Sequence, residues 1–149
     1  MAGYSGTPLP QKLGIKPGAR VGLSRAPDDF AATLGELPDA VVLEDADGRA
    51  DKRPFDVLVA FVVTARELSA VWKRLPQRLD PAGGLWIGWP KKKPKGQQAI
   101  VSNVTETLVR EVGLAAGLVD NKVCAIDDTW SGLRFVVRLV DRPKKPSRT

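Results

Sequence analysis

The amino-acid sequence predicts an α/β fold. Short apolar runs of strand length alternate with segments whose apolar residues recur at helical spacing, an order that favours a mainly parallel sheet between helices. The longest apolar run, 57–63, has the length of a strand. No run approaches the roughly 18 consecutive apolar residues of a transmembrane helix. The chain of 149 residues fits one domain.

In the first half of the chain, turn residues separate short apolar segments. The expected elements are a helix at about 7–14, strands at 19–23 and 40–43, and a helix between those strands. Thr7 followed by Pro8 is typical of a helix start. The run at 40–43 is continuously apolar, which is typical of a strand buried on both faces.

The second half predicts the centre of the sheet and a closing hairpin. The expected elements are strands at 55–63, 85–89, 122–126 and 133–140, and helices that begin near 64 and 103. Thr64 with Glu67, and Asn103 with Glu106, each form the pattern of a capping box. Residues 80–84 predict a turn and 127–132 a hairpin loop. The fold expected is therefore three-layered and Rossmann-like, with a mainly parallel sheet of about six strands and a C-terminal antiparallel hairpin.

The charge of the chain is concentrated in two places. Of 23 basic residues, eight lie in the loop at 91–95 and the tail at 142–149, and the rest of the chain carries a small excess of acid. A uniformly basic nucleic-acid-binding body is therefore excluded. We expect one domain over 1–141 and a disordered tail over 142–149. The N-terminal residues lack the pattern of a signal peptide, so a cytoplasmic location and no membrane partner are expected.

The residue counts exclude several kinds of catalytic site. There is no histidine and one cysteine. This excludes a Ser-His-Asp triad, a Cys-His pair, a histidine-ligated metal, an internal disulfide and a C-x-x-C redox pair. Cys124 lies mid-strand between apolar residues, which predicts an inert, buried thiol.

Two phrases of the sequence resemble landmarks of class I methyltransferases. Residues 15–21 resemble the entry to that fold's first strand, and 79–87 the turn into its fifth. One strand–helix unit is missing after Glu44, replaced by a loop at 48–54. In that family the first strand ends in an acidic residue and a G-x-G loop, whereas 22–27 here read Gly-Leu-Ser-Arg-Ala-Pro. The resemblance thus implies the scaffold without its glycine-rich cofactor loop, and no cofactor is expected.

A resemblance over the whole chain is to the bacterial family named Domain of Unknown Function 3052. The segments that carry it are 3–9, 12–15, 89–92, 117–120 and, most specifically, 122–133. Where members of that family continue directly from Trp-Pro-Lys-Lys towards the next helix, this chain has extra basic residues at 93–98. No activity is established for that family, so the resemblance implies none.

The predicted ends of the strands define the candidate ligand site. In an open parallel sheet, ligands bind outside the carboxyl ends of the strands. The polar, charged and aromatic residues there are Ser24, Arg25, Glu44, Trp89, Lys91, Lys92, Asp127, Asp128, Thr129, Trp130 and Ser131. This rim suits an anionic or phosphorylated ligand. The alternative is that Trp130 packs over the hairpin while Asp127 and Asp128 cap its turn.

The sequence favours a small non-catalytic binding or regulatory protein, with no catalytic residue and no metal site. Its expected partner is an anionic small molecule or another protein. One alternative is an enzyme that acts on an anionic or phosphorylated small molecule, with Arg25, Lys91 and Lys92 as anion binders. The other is weak nucleic-acid binding through 91–95 and the basic tail, with Trp89 available for stacking.

Overall fold

The computed structural model describes residues 7–47, 53–92 and 100–143, which form a six-stranded sheet with helices on both faces. The helices are α1 (Leu9–Leu13), α2 (Phe30–Leu34), α3 (Ala65–Arg74) and α4 (Glu106–Ala115). The strands are β1 (Arg20–Ser24), β2 (Val42–Asp45), β3 (Phe55–Phe61), β4 (Leu79–Pro90), β5 (Leu118–Ala125) and β6 (Trp130–Val137). Two 3₁₀ turns follow α3 and β6, at Leu75–Arg78 and Leu139–Asp141.

The order of strands in the sheet is β2-β1-β3-β4-β6-β5. The first four strands of this order are mutually parallel, and β6 lies antiparallel between β4 and β5. The predicted fold class is confirmed: a Rossmann-like, mostly parallel sheet closed by an antiparallel hairpin. All four parallel strands end at one edge, which we call the carboxyl edge of the sheet.

Each face of the sheet has its own apolar cluster. One face is covered by α1 and α2, whose Leu13, Phe30 and Leu34 pack on Val59 and Phe61 of β3. The other face is covered by α3 and α4, through Leu68, Val71, Trp72 and Val109. Strand β3 is buried on both faces except at Asp56. The prediction that it is the central strand is therefore confirmed.

The start of α3 agrees with the sequence pattern. The Thr64 hydroxyl oxygen accepts a hydrogen bond from the Glu67 backbone N–H at 3.0 Å, and Glu67 Oε1 accepts one from the Thr64 N–H at 3.3 Å. This capping box is confirmed. It satisfies backbone donors that have no partner inside the helix.

The second predicted capping box is wrong. Helix α4 begins at Glu106, and its cap is Thr105, whose hydroxyl oxygen accepts from the Leu108 backbone N–H at 3.1 Å. Asn103 instead reaches across the sheet edge, where its side-chain oxygen accepts from the Ala65 N–H at 2.9 Å. Asn103 therefore caps α3, and links the ends of two helices that are distant in sequence.

The continuous apolar run of β2 predicts a strand buried on both faces, and this prediction is wrong. Strand β2 pairs only with β1 and forms one edge of the sheet. Val42 and Leu43 are 44% and 36% exposed. The reason is the order of the strands. After β2 the chain crosses over β1, so β3 pairs with the other side of β1 and nothing in the described chain covers the outer side of β2.

The predicted turn at 80–84 is part of a longer strand. Strand β4 begins at Leu79, and its pairing with β3 shifts register between Phe55 and Val57, which absorbs the extra residues as an irregularity. At the hairpin, β6 begins at Trp130 and ends at Val137, so it starts earlier and stops sooner than the predicted 133–140. At the start of β4 and at the start of β6, pairing across the sheet thus extends the strand into residues whose local sequence predicts a turn.

Several predictions fall outside the described residues. Residues 48–52 of the loop expected to replace a strand–helix unit lie outside the described ranges. The same holds for the whole basic insertion at 93–98 and for residues 144–149 of the tail. In the described ranges, no helix is long and apolar enough to cross a membrane.

We predict that Gly113→Ala destabilises the protein by about 1–3 kcal/mol, the usual range for overpacking a core. An added Cβ would lie 2.2 Å from a ring carbon of Phe135, which is fully buried and packs edge-on against Trp72 at 4.9 Å. Alanine has a higher helix propensity than glycine by about 1 kcal/mol, which opposes this loss without cancelling it. Urea unfolding measures the net effect. Leu114→Ala on the exposed side of the same helix is the control, and equal stability of Gly113→Ala and wild type would contradict the packing described.

Candidate functional site

The carboxyl edge of the sheet carries a cleft between β1 and β2, which we call the β1–β2 cleft. Its volume is about 510 Å³. The residues that line it combine apolar side chains with one cation and three carboxylates: Leu23, Arg25, Ala26, Leu43, Glu44, Asp45 and Asp47. Of the predicted site residues, Arg25 and Glu44 lie here. The sequence-based selection missed Asp45 and Asp47, although Asp45 directly follows Glu44.

The turn after β1 has a left-handed backbone conformation without a glycine. Arg25 has a φ of 57°, a region that glycine adopts without steric cost. Its guanidinium lies 3.3 Å from a Glu67 carboxylate oxygen, and the same carboxylate accepts from the Val63 N–H at 2.7 Å. Glu67 therefore joins the end of β3 to the turn after β1. The ion pair is half exposed, so its contribution to stability is small.

Ser24, another predicted ligand residue, is fully buried at the end of β1. Its hydroxyl donates to the two Asp47 carboxylate oxygens at 2.9 and 3.1 Å. Asp47 also accepts from the Arg74 guanidinium of α3 at 2.9 Å. Ser24 thus positions Asp47 at the rim of the cleft.

Glu44 forms an ion pair on the face of the sheet that α3 covers. Its carboxylate lies 3.0 Å from the Arg20 guanidinium, which in turn stacks over the Phe55 ring at 4.8 Å. Asp45, the last residue of β2, is exposed, and one of its oxygens accepts from the Asp47 backbone N–H at 2.9 Å. Asp45 is therefore the more accessible carboxylate at the end of this strand.

Gly22 serves packing within β1. A Cβ at this position would lie 2.7 Å from a methyl carbon of Leu58 and 3.0 Å from both Ala46 and Phe55. These contacts lie in the apolar cluster under α3 and α4. The glycine is needed for the close approach of core side chains on that face.

A second cleft, the β4 cleft, lies at the same edge, beside the end of β4. Its volume is about 330 Å³, and its polar lining comprises Lys91, Lys92, Thr105, Glu106, Thr107 and Ser131. Trp89, which also lines it, is only 6% exposed and belongs to the apolar cluster under α3 and α4. Of the predicted rim, the structure thus groups Trp89, Lys91, Lys92 and Ser131 here, apart from Arg25 and Glu44.

The hairpin residues form a compact turn. One carboxylate oxygen of Asp127 accepts from the backbone N–H groups of Thr129 and Trp130, both at 2.8 Å. Asp128 lies in this turn, and the Thr129 carbonyl accepts from the Lys91 N–H at 2.8 Å. Trp130 is 8% exposed and packs edge-on against Phe61 at 5.1 Å. Trp130 and Trp89 therefore pack on opposite faces of the sheet and do not form one aromatic rim.

Cys124 and the acidic side chains of the described ranges are the residues that could supply a nucleophile or a metal centre. The Cys124 thiol is half-buried, and this burial raises its pKa, against the weaker opposite effects of Lys12 and Lys122. Within the described ranges, no group of three or more cysteine, aspartate and glutamate side chains is arranged to hold a metal ion.

Several of the solved structures that resemble this chain are methyltransferases. A DhpI–SAH complex is 14% identical, with a TM-score of 0.59 over 92% of this chain and 83% of that one. A SAM-dependent methyltransferase from Aquifex aeolicus is 15% identical, with a TM-score of 0.56 over 86% and 87%. The 1,6-didemethyltoxoflavin-N1-methyltransferase from Burkholderia thailandensis, solved with S-adenosylhomocysteine, is 14% identical, with a TM-score of 0.54 over 85% and 73%.

Neither a family model nor a curated protein sequence matches the chain. The resemblance to Domain of Unknown Function 3052 is therefore without support from a family model. At 14–15% identity, the structural matches establish the methyltransferase-like fold.

The prediction of a non-catalytic binding or regulatory module is contradicted by these matches. That prediction took the missing glycine loop as evidence against methyltransferase activity. Three of the matched chains are methyltransferases, and two of these were solved with S-adenosylhomocysteine.

We predict that Asp127→Ala lowers the free energy of unfolding by about 1–2 kcal/mol, whereas Asp127→Asn stays within about 0.5 kcal/mol of wild type. Asparagine keeps a carbonyl oxygen that can accept from the Thr129 and Trp130 N–H groups, and alanine does not. Thermal and urea unfolding of both variants measure the difference. Equal stabilities of the two variants would show that this oxygen does not hold the turn.

We predict that Cys124 is alkylated by iodoacetamide with a half-maximal rate at a higher pH than an unstructured cysteine peptide. The thiolate is the reactive form, and burial disfavours it. The rate of the urea-unfolded protein provides the control. A midpoint at or below that of the peptide would mean that the cationic side chains of Lys12 and Lys122 outweigh burial.

Proposed function

We propose that this protein is an S-adenosylmethionine-dependent methyltransferase that binds its cofactor in the β1–β2 cleft. The observation that carries the proposal is the position of this cleft. It opens at the carboxyl ends of β1 and β2, beside the point where the chain crosses from one side of β1 to the other. Ligands of open α/β sheets bind at this switch point.

The cleft has the chemical groups that an adenosine moiety needs. Leu23, Ala26 and Leu43 provide apolar surface for the adenine ring. Asp45 lies at the end of β2, where a carboxylate can accept hydrogen bonds from ribose hydroxyls. The accessible Asp45 suits this role better than Glu44, which neutralises Arg20.

Arg25 compensates for part of the missing glycine loop in this proposal. A glycine loop binds its ligand through backbone N–H groups, and Pro27 has none to offer. Arg25 lines the cleft with a guanidinium that is half exposed. A guanidinium has five N–H donors, and the pair with Glu67 involves only Nη1 of Arg25. Its other donors would hold the carboxylate of the cofactor's methionyl part.

The cofactor, when bound, supplies a methyl group on a positively charged sulfur. The contribution of the chain is to bind and align, since alignment of two reactants by itself lowers a barrier substantially. The β4 cleft is at the same edge and would hold the methyl acceptor, with Lys91, Lys92 and Glu106 as polar contacts. A mechanism of this kind does not depend on histidine.

Two finer predictions from the sequence accompany this proposal. One is membership in the bacterial family Domain of Unknown Function 3052, which is supported by segment 122–133. The other is a cytoplasmic location, which is supported by the single cysteine.

We predict saturable binding of S-adenosylhomocysteine by isothermal titration calorimetry, weakened about tenfold or more by Asp45→Asn. Hydrogen bonds to a charged acceptor are worth about 1.5–3 kcal/mol, and 1.4 kcal/mol corresponds to a factor of ten. Asp39→Asn is the matched control, because it removes the same charge from an exposed residue near the other end of β2. Tritium transfer from labelled S-adenosylmethionine to candidate small molecules should fall in parallel.

Two results would contradict the proposal. One is the absence of any heat of binding for both S-adenosylmethionine and S-adenosylhomocysteine. The other is binding that Asp45→Asn and Asp39→Asn change equally, which would indicate a diffuse effect of charge.

A further inference from the structure

A third cleft lies at the opposite edge of the sheet from the proposed cofactor site. This amino-end cleft has a volume of about 340 Å³. It is bounded by the loop between α1 and β1 and by the first residues of β3 and β4, with one side chain from β6. Its polar and glycine lining includes Lys16, Gly18, Asp56, Asp80, Gly83 and Arg134.

Arg134 is the cation that β6 contributes to this cleft. It lies opposite Trp86 in the pairing of β4 with β6, and its guanidinium rests on Gly84. A Cβ at Gly84 would lie 2.3 Å from Arg134 Nε, so the glycine provides the space that the guanidinium occupies.

Arg134 has no acidic partner among the described residues. Its one hydrogen bond within these ranges runs from Nη1 to the Asn121 side-chain oxygen, at 3.3 Å. Burial is the main cause that lowers the pKa of Arg134, and the nearby positive charge of Arg142 lowers it further. A guanidinium offers five N–H donors, so most of its donors in the cleft are available to a ligand.

The two carboxylates of the cleft are engaged elsewhere. Asp56 accepts from the Arg20 backbone N–H at 2.9 Å, and Asp80 from the Ala82 N–H at 2.8 Å. Asp56 lies on β3, two strands from β6, and neighbouring strands are spaced by about 4.8 Å. Neither carboxylate forms an ion pair with Arg134, whose side chain donates instead to Asn121.

We propose that the amino-end cleft binds an oxyanion, the carboxylate or phosphate group of a small metabolite, on the Arg134 guanidinium. The planar fork of an arginine matches the geometry of both groups and binds them through paired hydrogen bonds. Lys16, on the loop between α1 and β1, also lines the cleft and adds a second positive charge. The site is separate from the β1–β2 cleft and does not depend on the proposed methyltransferase activity.

The test is an NMR titration of the ¹⁵N-labelled protein with sodium phosphate and, separately, with sodium acetate, at constant pH and ionic strength. We expect saturable shifts of the Arg134 Nε–Hε signal and of the Gly18 and Gly83 amides. Saturation by phosphate alone identifies phosphate groups as the ligand class, and saturation by acetate identifies carboxylates. Shifts that do not saturate with either anion would overturn the proposal.

Two substitutions make the assignment specific. Arg134→Gln should weaken binding at least tenfold and Lys16→Gln several-fold. Arg138→Gln is the matched control, because Arg138 already pairs with Asp141 at 2.7 Å and does not line the cleft. Equal weakening by Arg138→Gln, or wild-type binding by Arg134→Gln, would refute the site. Lys16 lies on an exposed loop, so its variant keeps the test informative if Arg134→Gln unfolds.

Discussion

The burial of β3 on both faces is the constraint on which the rest of the structure depends. This strand can only exist between β1 and β4 with a helical layer above and below it. Parallel pairing on both sides then brings the ends of three strands to one edge. The Thr64–Glu67 capping box ends β3 and starts α3 at the same edge, and Glu67 also holds Arg25 after β1. The position of both carboxyl-edge clefts follows from this arrangement.

The charged groups of the sheet divide into those that stabilise the fold and those that remain accessible. Glu44 neutralises an arginine that stacks on Phe55, and Asp127 holds the hairpin turn. Asp45 at the carboxyl edge and Arg134 at the amino edge are the accessible counterparts, each lining a cleft. Residue type alone did not distinguish the two groups, since the distinction depends on which neighbour each side chain reaches.

The sequence was sufficient for the fold class, the central strand and the first capping box, because these depend on local periodicity and on contacts three residues apart. It failed where the outcome depends on the order of strands. The apolar run of β2 predicts a buried strand. Yet β2 is the outermost strand of the sheet, because the chain crosses over β1 before it forms β3. The spacing of Asn103 and Glu106 predicts that Asn103 caps the helix that follows it, but it caps α3 instead. Trp89 and Trp130 lie close together on the neighbouring strands β4 and β6, yet they pack on opposite faces of the sheet.

The most direct test of the account is a crystal structure with S-adenosylhomocysteine. We expect the adenosine moiety in the β1–β2 cleft, with the adenine against Leu23 and Leu43 and the ribose hydroxyls on Asp45. We also expect the Glu44–Arg20 ion pair to stay intact. Ligand bound elsewhere on the molecule, or a cleft that remains empty at saturating ligand, would contradict the assignment of this cleft as the cofactor site.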